Sequence, residues 1–159
     1  MNSRNDEDLR VEPPEEVSMP DNEFKVAVVG CSGIGRLIST VVRQAVYMIE
    51  RDRPDQVAVV SSGALTGNVE EALDTCRRYP LVLIDGCRPR CATTLANGKD
   101  LPVAGVVYAA DVIAKGKLSL SGERREELGE KGMAVARAIA DEALEKIDWL
   151  IADEMVSTL

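Results

Sequence analysis

The segment Cys87-Arg-Pro-Arg-Cys91 sets two thiols apart by three residues, inside the separation of about two to four usual for a zinc chelate pair. A third thiol, Cys31, follows the apolar run Phe24–Gly30 and stands just ahead of an expected helix. There the positive end of a helix dipole would favour the thiolate that metals require. Three thiolates on one Zn2+ leave a single negative charge, which Arg36, Arg88 and Arg90 are placed to offset. The chain contains no histidine. That removes Ser–His–Asp and Cys–His catalysis and every mixed Cys/His zinc site. A metal bound here must be held by thiolates, carboxylates or water.

These residues need elements that bring them together. Phe24–Gly30 is a short apolar run ending in glycine, the pattern of a buried parallel strand. A helix is expected from about Gly33 to Arg53, with Leu37, Val41, Ala45 and Met48 on one face and Pro54 marking its end. Gln56–Ser61 reads as a second strand, and Asn68 as the cap of a helix running to Arg78. Leu81–Asp85 is a third strand, Pro89–Ala96 a short helix and Pro102–Tyr108 a fourth strand. A last long helix is expected from Ser121 to Ile147, lined by Leu128, Val135, Ile139, Ala143 and Ile147. The glutamates of 123–130 would form its exposed face.

Strands alternating with helices imply right-handed crossovers. The fold class is therefore α/β: a single three-layer, Rossmann-like domain over 24–159, doubly wound on a mostly parallel sheet of about four strands. The C-terminal ends of all strands in such a sheet share the edge that binds ligands. That edge would gather Cys31-Ser32-Gly33, Ser61-Ser62-Gly63, Asp85-Gly86-Cys87 and Asp111. Cys76 falls ahead of the third strand, at its opposite end. Five strand residues span roughly 16 Å, and a zinc–sulfur bond only about 2.3 Å, so Cys76 is expected to be a buried helix residue and not a ligand. Asp85 is a candidate ligand or base, and equally a cap for its turn.

Cys31-Ser32-Gly33 after the first strand, with Ile84-Asp85-Gly86-Cys87-x-x-x-Cys91-Ala92 after the third, resembles the DGC-domain family over about residues 25–113. The resemblance implies zinc held by cysteines and assigns no reaction. Family members usually carry a further cysteine after the second strand, in a stretch similar to Cys-Leu-Ala-Gly. This chain has Val60-Ser61-Ser62-Gly63-Ala64 there. The fourth coordination position is thus left to water, to Asp85 or to a substrate, with Ser61 and Asp85 the nearest helpers.

Other readings fare less well. Gly30-x-x-Gly33-x-Gly35 opens a helix but lacks the G-x-G-x-x-G order, and no ribose-binding acid ends the second strand. Cys31 and Arg36 are one residue closer than in the cysteine-phosphatase loop they resemble. A thiol redox or sulfur-transfer site, or an iron–sulfur cluster with one open position, remains the alternative use of the same cysteines.

The net charge of −8 argues against nucleic acid, whose binding rests on Lys and Arg. Most of that charge lies in residues 1–23, where eight acids face only Arg4 and Arg10, leaving the body close to neutral. With Pro13, Pro14 and Pro20 and no apolar period, 1–23 is expected to be a disordered acidic tail. No apolar run reaches the roughly 20 residues needed to span a bilayer. The acidic N-terminus is unlike a secretory signal, so a cytoplasmic setting with reduced thiols is expected.

Overall fold

A computed structural model describes residues 23–31 and 33–159. Ser32 and almost all of the expected tail, residues 1–22, lie outside the described residues. Among the described residues four strands, β1 (Val26–Gly30), β2 (Val57–Val59), β3 (Leu81–Asp85) and β4 (Val103–Tyr108), form one sheet in the order β2-β1-β3-β4. Every pairing is parallel. The central strands β1 and β3 are covered on both faces, which is why they read as continuous apolar runs and not as alternating ones.

Among the described residues six helices cover the sheet: α1 (Leu37–Asp52), α2 (Ser62–Thr66), α3 (Glu70–Arg78), α4 (Cys91–Gly98), α5 (Ala109–Gly116) and α6 (Glu130–Ser157). Val26, Val28, Val82 and Ile84 face α1, α5 and α6, while Ala27, Val29, Leu81 and Leu83 face α2, α3 and α4. The result is the expected three-layer, doubly wound arrangement. On α6, Val135, Ile139, Ala143 and Ile147 are wholly buried. Burying a side chain of isoleucine size contributes roughly 2–3 kcal/mol, so this stripe anchors the helix far better than its intrinsic propensity does. Arg137 ties the same helix to α1 through Asp52 at 2.9 Å.

The differences from expectation have local causes. Helix α1 starts at Leu37 and not at Gly33, because Gly33 and Gly35 are poor helix formers and Arg36 is extended. Asn68 does not cap α3. It sits in the left-handed region (φ 55°), and the helix begins after Val69. Two short helices, α2 and α5, were not expected. The long helix begins at Glu130 and ends ten residues beyond Ile147. Residues 121–129 form a loop: Gly122 takes φ 83°, and the Glu123 carboxylate accepts the Gly129 amide at the start of α6. Glu123 is therefore a cap supplied from the loop, where an exposed helix face had been expected. No helix among the described residues is long and apolar enough to cross a membrane.

Candidate functional site

The strand order reverses at β1: the chain moves from it to β2 on one side and returns to β3 on the other. The loops leaving β1 and β3 therefore meet, at the position where doubly wound folds bind ligands. Gly30 ends β1 under α1, where an added Cβ would lie 2.7 Å from Val46. The next residue, Cys31, continues the ladder by donating its amide to the Ile84 carbonyl (2.9 Å) and is 6% exposed.

Gly86 makes the closest link between the loops. Its N–H donates to Cys31 Sγ at 3.2 Å. A Cβ on Gly86 would stand 2.9 Å from that sulfur and 3.2 Å from Ile38. The glycine of Asp85-Gly86-Cys87 is thus required by this approach. Cys87, half-buried, opens a turn closed by the Arg90 amide on the Cys87 carbonyl (2.9 Å). Cys91 is the first residue of α4 and is exposed.

Asp85 acts as a cap. The carboxylate is fully buried, and Oδ1 accepts the amides of Ala92 (2.9 Å) and Thr93 (3.4 Å). Oδ2 accepts the Thr93 hydroxyl. Both oxygens are committed to the first turn of α4, where Arg90, in the left-handed region, offers no side-chain cap of its own. Asp85 therefore positions Cys91 through the helix. Ser61 lies at the end of β2, on the far side of β1 from β3, and is exposed. Asp111 lies in α5, past the end of β4.

Burial pushes the Cys31 thiol above its ordinary value, and the nearby Cys87 and Asp85 add to this. Hydrogen bonds from the Gly86 amide and the Ser39 side chain act the other way without reversing it. The expected thiolate-favouring helix end is thus displaced, since α1 begins six residues beyond Cys31. Cys76 is buried among Leu73, Leu81 and other apolar residues of the opposite layer, and burial raises its thiol too.

Among the described residues, no three His, Cys, Asp or Glu side chains stand together as a formed metal cluster. The donor chemistry suits zinc, with three thiols on two adjoining loops, but their arrangement is open, with Cys91 turned to solvent. A surface groove of about 1190 Å³ runs along β2 and α3 and touches none of these cysteines. It reaches Ser61, but its acids and bases are mixed and it includes no thiol, so the ends of β1 and β3 are the better candidate.

Sequence reasoning missed Tyr108, whose ring lies 4.2 Å from the Arg90 guanidinium carbon. Its signal was available: Tyr108 ends β4 level with Asp85 of β3.

The model of the DGC domain matches residues 27–147. The chain belongs to the DGC-domain family. No curated protein and no solved structure matches it.

Proposed function

We propose that the chain is a small metal-binding protein that holds zinc through Cys31, Cys87 and Cys91, in a cytoplasmic setting. The observation that carries this reading is the Gly86 amide on Cys31 Sγ at 3.2 Å. It ties the Cys31 loop to the turn bearing the other two thiols. With no histidine in the chain, a thiolate set is the natural zinc donor. Cys91 lies four residues beyond Cys87, at the start of α4, and its thiol would turn inward to complete the set. Three protein ligands leave a fourth position, at which zinc when bound supplies Lewis-acid and water-activating chemistry.

A second reading draws on the accessibility of Cys87 and Cys91. Cys87 is half-buried and Cys91 exposed, and accessible thiols suit redox or sulfur-transfer chemistry. Elemental analysis of untagged protein, with its visible spectrum, separates the two. Near-stoichiometric zinc and no colour support the metal site. Metal-free protein with fast-reacting thiols supports the second reading, and a brown protein would replace zinc with an iron–sulfur cluster.

A further inference from the structure

We propose that the rim of the two cysteine loops binds a small molecule through an oxyanion, a phosphate or a carboxylate, held by Arg36, Arg88 and Arg90. This deepens the reading above by naming a ligand class, and rests on it only for the location of the site.

The first observation is where unpaired cations remain. Acids and bases are nearly balanced in the body, 19 to 17 over residues 24–159, and Arg51, Arg53, Arg77, Arg124, Arg125 and Arg137 each pair with a carboxylate. Arg53 pairs with Asp148 at 3.2 Å, Arg77 with Glu70 and Asp74 at 3.4 and 3.5 Å, and Arg137 with Asp52 and Asp141 at 2.9 and 2.7 Å. Among the described residues no carboxylate pairs with Arg36, Arg88 or Arg90, although Arg88 and Arg90 lie between the two cysteines of the turn and Arg36 closes the Cys31 loop. Arg43, on α1, likewise has no carboxylate partner among the described residues, but Arg36, Arg88 and Arg90 all lie on the two loops at one edge of the sheet.

The second observation is that neighbouring acids are committed elsewhere. Asp85 is occupied with Ala92 and Thr93 of α4. Glu126, in the loop crossing α1, pairs with Arg124 and Arg125 at 3.8 and 3.2 Å. Asp111 makes no ion pair with any of the three arginines, and the first turns of α1 and α4 hold no acid.

The third is that one of these cations is held in place. Arg90 stacks on Tyr108 at 4.2 Å, and its turn is closed by the Cys87 carbonyl with Pro89 inside it. Stacking engages the face of a guanidinium and leaves its N–H donors in the plane free for bidentate recognition of carboxylate or phosphate. The charge balance agrees with or without metal. Three guanidinium charges exceed the single negative charge of a zinc trithiolate, and exceed it further over neutral thiols.

The test is isothermal titration of the full-length chain with inorganic phosphate and, separately, with acetate, at fixed ionic strength. Zinc content and folding are measured on every sample. Phosphate or acetate should bind saturably, and the pair Arg36→Gln with Arg88→Gln should weaken that binding about tenfold or more, as loss of charge-assisted bonds does. Arg43→Gln, a change in α1 away from the loops, should leave it intact. The preferred anion tells phosphate from carboxylate. Folded wild-type protein that binds neither anion overturns the inference, as does binding indifferent to the Arg36/Arg88 changes. Arginine-dependent binding by zinc-free protein upholds it while removing the metal reading. Zinc-loaded protein that binds no anion removes this inference alone.

Discussion

The amide of Gly86 donates to the sulfur of Cys31 across 3.2 Å, and by this contact the loop after β1 is fixed against the loop after β3. The contact exists because Gly86 has no side chain. Gly86→Ala would set a methyl 2.9 Å from the sulfur and 3.2 Å from Ile38. Overpacking of this kind costs about 1–3 kcal/mol, and the loops must part to relieve it. Denaturant unfolding should show that loss, together with weakened zinc retention.

Asp85 is read as a helix cap, and two substitutions test the role. Asp85→Ala removes the acceptor of the Ala92 amide (2.9 Å) and of Thr93. The expected cost is about 2 kcal/mol, from a lost cap and buried donors left unpaired. Asp85→Asn keeps one carbonyl oxygen for Ala92 and should cost about half as much, near 1 kcal/mol. Zinc content should survive Asp85→Asn. A folded Asp85→Asn protein devoid of zinc would make Asp85 a ligand.

Cys76 provides a pH signature. Burial raises its thiol above the ordinary 9.0 in the folded protein. A folded value above the unfolded one stabilises fully below the unfolded value, and that stability is lost as pH rises through the folded value. Wild-type protein should therefore lose stability above about pH 9, and Cys76→Ala should flatten that alkaline decline. Thermal melts across the range check both. The neutral-pH cost of Cys76→Ser should be about 1 kcal/mol, as for a hydroxyl buried in place of a thiol.

The parts of the fold that declare themselves locally were legible in the sequence. Leu81–Asp85 is buried on both faces and was read to the residue, and the apolar stripe from Val135 to Ile147 on α6 was read correctly. Helix ends set by distant partners were not legible. Glu123 caps α6 from six residues before Gly129, and Asn68 enters the left-handed region with its side-chain oxygen on Lys99. The site followed the same division. Adjacency of β1 and β3 put Cys31 beside the Asp85-Gly86-Cys87 turn, whereas the outward exposure of Cys91 and the capture of Asp85 by α4 depend on backbone geometry that spacing does not reveal.

The central claim is that Cys31, Cys87 and Cys91 hold the metal while Cys76 does not. Zinc per chain, measured after dialysis against a mild chelator in wild-type protein and the four Cys→Ser variants, tests it most directly. Wild-type and Cys76→Ser proteins should retain close to one zinc per chain. Cys31→Ser, Cys87→Ser and Cys91→Ser should each lose most of it, since a hydroxyl replaces a thiolate ligand. A Cys76→Ser protein that loses its zinc while Cys31→Ser keeps it would contradict the site.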